Sequence, residues 1–256
     1  MNEIRQHSLR REVAAHLVFL AVLVSTWEYA CARGWLDPTF FGRPTEIVKF
    51  LYQGFVLKPK LWVDLGYTLA GTAASFALGS VLAIGLGLVF VAFPRFERAA
   101  SPYLTLLNAM PRIALVPLFL LWFGLGLGSK IAVGTSLAFF IVLASTVAGI
   151  RGVSGDLLTL ARSLGASPHQ LFVQITLPSA VPVIASGLRL AVVYSMLGVI
   201  GAELLAAERG LGQTLAYMQS TFNMNGVMGL LLVLAVLGML VTAGMSRMEH
   251  TLLKWQ

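Results

Sequence analysis

Charge is what this sequence has least of. Only 11% of its 256 residues are Asp, Glu, Lys or Arg, less than half of the roughly 25% usual in soluble domains. A water-facing surface needs about a quarter or more of its residues charged. An ordinary soluble enzyme or nucleic-acid-binding domain is therefore excluded, despite a pI near 9.9. Cysteine is nearly absent: Cys31 stands alone, which excludes an intrachain disulfide and a zinc site by spacing. There is no G-x-x-x-x-G-K-[ST] phosphate loop. The nearest approach, Gly124-Leu125-Gly126-Leu127-Gly128-Ser129-Lys130, ends in the wrong order and reads as a tight glycine-rich turn. H-E-x-x-H and G-x-S-x-G are missing too, and the histidines (His7, His16, His169, His250) are scattered through tails, first helix and loop. That leaves no catalytic or metal constellation. Lys and Arg are nowhere interleaved with aromatics as in a nucleic-acid groove.

What the chain has in excess is apolar sequence: 57% hydrophobic residues and a mean hydropathy of +0.83. A membrane span takes about 20 such residues. Uncharged runs predict an all-α membrane protein of a single domain, 1–256, with six helices near 13–33, 67–92, 102–123, 130–150, 183–205 and 226–246. The first is broken by His16, Glu28 and Arg33. Arg5, Arg10 and Arg11 before it and Ala30-Cys31-Ala32 at its end also fit a cleaved signal peptide, although Trp27, Glu28 and Tyr29 crowd that junction. With the N-terminus inside, ten basic residues (Arg5, Arg10, Arg11, Arg95, Arg98, Arg151, Arg162, Arg189, Arg247, Lys254) face seven outside (Arg33, Arg43, Lys49, Lys58, Lys60, Lys130, Arg209). The positive-inside rule then favours both termini in the cytoplasm, by a margin too narrow to decide it.

Within the spans, Gly71, Ser75, Gly79, Ala83 and Gly87 form a four-residue row of small side chains, a surface that lets another helix approach closely in lipid. Such a contact is either static packing or one that slides. Arg112, about ten residues or 15 Å past Pro102 on a continuous helix, falls near mid-bilayer between Pro111 and Pro117. A charge there needs a partner or a wet cavity, so Arg112 is a candidate for an anion path, or else a member of a buried structural ion pair or a side chain that snorkels to a headgroup. Arg189 and Glu203 are too far apart along one helix to pair with each other. After helix five, Leu215, Met218, Gln219 and Phe222 fall at i, i+3, i+4 and i+7 behind a Gly210-Leu211-Gly212 turn, giving a short amphipathic helix that gates the outer mouth or floats at the interface. Glu203 and Glu208 precede it, as contacts for a basic patch on the delivering protein, with Glu203 alternatively a buried pair member.

The segment 151–182 does not span. Leu157, Leu160, Ala161 and Leu164 make one apolar face of a short helix, with Ser154 as N-cap and Asp156 in its positive first turn. Gly165 sits where a left-handed residue closes a helix. Ser167-Pro168 restarts one, carrying Leu171, Phe172 and Ile175 and ending before Pro178. Two short helices at the membrane face leave apolar surface to be covered by lipid or by a groove on another protein.

These residues resemble the "EAA" loop of bacterial ABC-importer permeases. The opening is Leu160-Ala161-Arg162, without the family's Glu and second Ala; the glycine is Gly165 and the ending Ile175-Thr176-Leu177-Pro178. The strings 43–48, 111–131 and 201–212 resemble the nitrate/sulfonate/taurine/bicarbonate branch of that family. The resemblance implies the type I importer permease fold: six transmembrane helices, with a cytoplasmic coupling helix between the fourth and fifth. It implies a bacterial inner-membrane subunit that pairs with a second copy and encloses a path for a small solute, an anion by family branch. A cytoplasmic ABC ATPase dimer, holding the ATP and Mg this chain does not bind, would grip Leu157, Leu160, Ala161, Arg162, Ser163, Leu164, Gly165, Ala166, Ser167, Ile175, Leu177 and Pro178. An extracytoplasmic solute-binding protein would deliver the cargo, and Arg112, Arg189, Glu203, Met218 and Phe222 are candidates for the path or its gate. The competing reading, an ion-coupled secondary transporter, calls for inverted repeats and midplane charges; no internal repeat is found.

Overall fold

The computed structural model describes residues 2–252 and contains only helices and turns among them. Lys254, and the side chains of Arg5, His7, Arg10, Arg11 and His250 counted above, lie outside the described residues. The helices are α1 (Asn2–Ala32), α2 (Pro38–Phe41), α3 (Pro44–Tyr52), α4 (Lys60–Ala92), α5 (Pro94–Ala109), α6 (Val116–Phe123), α7 (Leu127–Arg151), α8 (Gly155–Ser163), α9 (Pro168–Gln170), α10 (Leu177–Leu205), α11 (Leu211–Ser220) and α12 (Met224–Leu252). Five stretches are long and apolar enough to cross a membrane: Ala14–Ala32, Lys60–Ala92, Leu127–Arg151, Pro168–Leu205 and Met224–Glu249.

The sixth span departs from the expectation of one helix over 102–123. Here α5 and the segment Arg112–Phe123 meet at 89°. Proline explains the break. Met110 precedes Pro111 and is extended (φ −69°, ψ 134°), because the ring of a following proline disfavours the helical region. A 3₁₀ turn, Arg112–Leu115, then leads into α6, with Pro117 in the first turn, where its missing N–H costs nothing. Arg112 therefore sits on an elbow, not midway along a helix.

A second departure lies before α10. The short helix starting at Ser167 does not end ahead of Pro178 but runs on through a π-helical turn, Leu171–Thr176, into α10. Proline clashes with the carbonyl four residues back. The wider π turn relieves that crowding, and the Thr176 hydroxyl donates to the Leu171 carbonyl at 3.1 Å.

The chain forms two compact units, residues 63–214 with 234–256 and residues 1–62 with 215–233. In the first, the small-residue row of α4 lies along α7 in matching steps. Ser75 donates to the Ile131 carbonyl at 3.3 Å. A methyl on Gly79 would stand 3.0 Å from the Ala138 Cβ, and one on Gly87 would stand 2.7 Å from Thr146 Cγ2. Residue numbers rise together on both helices, so α4 and α7 run parallel, and α10 completes the core through Ala191 beside Ala83, Ala138 and Val142.

In the second unit, Glu28 on α1 caps α3. It accepts from Arg43 Nε at 2.6 Å and from the Thr45 backbone at 3.1 Å. The Arg43 backbone N–H donates to Asn225 Oδ1 at 2.7 Å, and the buried Cys31 thiol donates to the Gly42 carbonyl. The string at 43–48 is thus the start of a capped helix. At α2, the Thr39 N–H holds the Asp37 carboxyl below its usual range.

Candidate functional site

The segment that leaves the helical body, residues 152–170, is a hairpin with a defined turn. Helix α8 ends in a Schellman motif. The Gly165 N–H bonds to the Arg162 carbonyl at 2.9 Å and the Ala166 N–H reaches the Ala161 carbonyl at 3.0 Å. Gly165 has φ +85°, a conformation that costs an L-residue about 1–2 kcal/mol. Two residues on, Ser167 and Gln170 form a reciprocal capping box, side chain to backbone in both directions, at 2.8 and 3.3 Å. Turn and restart are both specified by local side chains and glycine. The Ser154 hydroxyl makes no cap bond, although Ser154 does occupy the N-cap position of α8.

The apolar face of α8 splits. Ala161 is buried, whereas Leu157, Leu160 and Leu164 are 42%, 59% and 81% exposed. Ala161 therefore corrects the expected four-residue face: it seats the helix, and the three leucines point away from the chain. Arg162, Ser163, Gly165 and Ser167 are exposed beside them, Ala166 is half-buried, Leu177 is exposed, and Ile175 and Pro178 are partly covered near the hairpin's base. Fully burying an exposed leucine is worth about 1.5–3 kcal/mol, so these three offer several kcal/mol to whatever covers them.

The remaining candidates do not gather at one place. Arg112 caps the broken end of α5. Its Nη1 donates to the carbonyls of Leu107 and Met110, its Nη2 to Asn108 Oδ1 at 2.9 Å, and its guanidinium lies 4.5 Å from the Phe140 ring centroid. A cation among the last carbonyls of a helix is stabilised by about 0.3–1 kcal/mol. Arg189 pairs with Glu249 at 3.2 Å. Met218 is half-buried on α11. Phe222 lies beyond α11, not on it, in the left-handed region (φ 54°) and 75% exposed. The amphipathic helix thus begins one turn earlier than its sequence period suggested and stops short of Phe222.

Glu203 is sealed within a polar node that the sequence reading missed. It is 1% exposed and pairs at 3.2 Å with Lys130, itself 2% exposed. Lys130 also donates to the Arg209 carbonyl. This overturns the counting of Lys130 as a loop charge. Around the pair, three N–H groups leading into α11 each find a side chain: Gly210 donates to Asp64 at 3.3 Å, Leu211 to the Thr68 hydroxyl at 3.0 Å, and Gly212 to Glu203 at 3.0 Å. Thr214 donates to Asp64 at 2.7 Å and Thr68 to Glu203 at 2.9 Å. Two carboxylates at a helix N-terminus suit its partial positive charge. Gly210 (φ +123°) has no room for a methyl, which would fall on the Glu203 carboxylate. A signal was present in the sequence, since Asp64 and Thr68 share a face at i, i+4; what it lacked was any indication that Lys130 and Glu203 would be the opposite side.

Comparison with known proteins points one way. The family profile for binding-protein-dependent transport system inner membrane components matches residues 75–252. The chain is 34% identical over 239 residues to the formylaminopyrimidine transport permease protein ThiX of Halalkalibacterium halodurans, covering 93% of this chain and 94% of that one. It is 32% identical to the putative aliphatic sulfonates transport permease protein SsuC of Bacillus subtilis (94% and 87% covered). With the taurine transport system permease protein TauC of Escherichia coli the identity is 29% (96% and 91% covered). Among solved structures, an inward-facing form of the MetNI methionine ABC transporter aligns with a TM-score of 0.67 at 19% identity, over 77% of this chain and 97% of that one.

Proposed function

This chain belongs to the family of binding-protein-dependent transport system inner membrane components, in the nitrate, sulfonate and taurine branch, and from that membership we propose how its parts divide the work of import. It has the type I importer permease fold. It is a multi-pass inner-membrane subunit of an ABC importer, without catalytic activity by itself, working with an ATPase and a binding protein. Family membership leaves no role for the ion-coupled alternative.

The finer reading is this. Two copies pair around a path, and both termini lie in the cytoplasm. A cytoplasmic ATPase dimer supplies the ATP and Mg chemistry. The glycine-rich run ending in Lys130 does not fit that nucleotide, because its lysine is spent on Glu203. Each ATPase grips the hairpin at Leu157, Leu160 and Leu164, and closure of the ATPases draws the two hairpins together and turns the path outward. The observation that carries this is the face of three exposed leucines on a helix whose far end is fixed by the Schellman turn at Gly165. A groove that covered them would recover their apolar burial.

The cargo is a small organic sulfonate or similar anion, by the cargo named for two of the relatives. A heteroaromatic solute, as in the relative named for formylaminopyrimidine, is the second reading, favoured by that relative's 34% identity.

Two experiments test these statements. Leu164→Asp puts a charge where 81% of a leucine is open. It is expected to lose ATPase co-purification while the subunit still accumulates in the membrane; retained ATPase refutes the grip. ATP hydrolysis by the reconstituted importer with its binding protein, measured with taurine, an alkanesulfonate, nitrate, bicarbonate and a formylaminopyrimidine, identifies the cargo by which solute stimulates it. Stimulation by the pyrimidine alone refutes the anion reading.

A further inference from the structure

Helix α5 is attached to its unit in an unusual way. None of its sixteen residues is buried, and it meets the core through Phe96, whose ring lies 5.8 Å from that of Phe90, and through Ala100 and Leu104, which pack on the cluster around Phe90 and Leu143. Its two ends are clipped to α7 by side chains. At the first turn, both Glu97 carboxylate oxygens accept from Arg151, Nη1 to Oε1 at 3.0 Å and Nη2 to Oε2. At the far end, about 18 Å beyond Glu97 at 1.5 Å per residue, Arg112 closes the last carbonyls of α5 and stacks on Phe140 of α7. Arg151 is the last residue of α7, and α8 starts four residues later. Any displacement of the hairpin is therefore felt first at the residue that holds α5.

Building on the reading that an ATPase grips the hairpin, we propose that Glu97 and Arg151 form a transmission strut: a positioning pair that passes hairpin motion to α5 and so to the 89° elbow at residues 110–112. The geometry suits positioning more than stabilisation. The side chains are 21% and 49% exposed, and ion pairs that open to solvent add little to stability. The two-point fork nevertheless fixes direction as well as distance. Both charges also sit at the helix ends that favour them, Glu97 at the start of α5 and Arg151 at the close of α7. With no buried residue of its own and one side of its first turn resting on Phe90, α5 depends on the pair to follow the hairpin.

The test uses the permease–ATPase complex in lipid nanodiscs, with a spin label on Ile113→Cys at the elbow, a position 61% exposed. Native Cys31 is 7% exposed and competes poorly for the reagent. ATP with vanadate is expected to change the label's spectrum in the parent. Glu97→Gln and Arg151→Gln are each expected to shrink that change at least threefold, while vanadate-sensitive ATP hydrolysis stays within twofold. The neutral double variant, Glu97→Gln with Arg151→Gln, is expected to match the singles rather than multiply them. It strands no charge, and so assembles even where a single variant does not. A full label response in the double variant overturns the strut, as does a parent whose elbow never responds. Retention of the ATPase by the Leu164→Asp complex would instead overturn the hairpin reading, so the two failures are distinct.

Discussion

Lys130→Met is the sharpest probe of the polar node that anchors α11. The substitution conserves length and removes the ammonium, leaving Glu203 at 1% exposure with only the Thr68 hydroxyl and the Gly212 N–H as partners. Breaking a buried pair from one side typically costs about 3–5 kcal/mol, because the surviving charge is neither solvated nor matched. At about 2–4 °C per kcal/mol for a domain of 150–250 residues, the midpoint of thermal unfolding should fall by about 6–20 °C in detergent or nanodiscs. Removing both charges, Lys130→Met with Glu203→Leu, leaves a different deficit: the Gly212 N–H and the Arg209 carbonyl lose partners, at about 1–3 kcal/mol for each group left unsatisfied. The electrostatic part disappears, so the double variant should be clearly less destabilised than the sum of the singles. A thermal shift below 2 °C for Lys130→Met, or losses in the two singles that simply add in the double, would show that the pair is not the source of the node's stability.

Two glycine pairings test the helix contacts and the hairpin turn. Gly79→Ala forces a methyl to 3.0 Å from Ala138 Cβ and 3.2 Å from the Thr135 carbonyl. It should cost about 1–3 kcal/mol by overpacking, seen as a lower unfolding midpoint. Gly85→Ala on the same helix, with open space around the added carbon, should be neutral or stabilising by about 0.5–1 kcal/mol. Gly165→Ala imposes about 1–2 kcal/mol of left-handed strain at a turn with no steric crowding. It should weaken ATPase co-purification and, at about 2–4 °C per kcal/mol, lower the unfolding midpoint by about 2–8 °C, whereas Gly155→Ala, ordinary in backbone and equally uncrowded, should leave both unchanged.

The parts of this protein that could be read directly are those whose physics is local. The hairpin turn was legible because Gly165 and Ser167 act on their own neighbours through a left-handed φ and a side-chain cap. The α4 row was legible because small residues at four-residue spacing share one face whatever they meet. The break at Pro111 was half-legible. Both prolines were visible, yet whether they would kink a span or turn it through 89° depends on how the elbow's freed carbonyls are satisfied, and here Arg112 satisfies them. The run-through at Pro178 was misread because a π turn is a cooperative way of accommodating proline that a single residue's preference does not announce.

Composition and periodicity by themselves determined that the chain is helical and that it is membrane-bound. Both follow from transfer of side chains and backbone between water and lipid, a property each residue carries with it. Only the tertiary structure decided that Lys130 and Glu203 are a sealed pair rather than a loop charge and a path residue, and that Arg151 reaches Glu97. Residues 73 and 54 positions apart have no local signature of meeting; what brings each pair together is helix packing around a shared core.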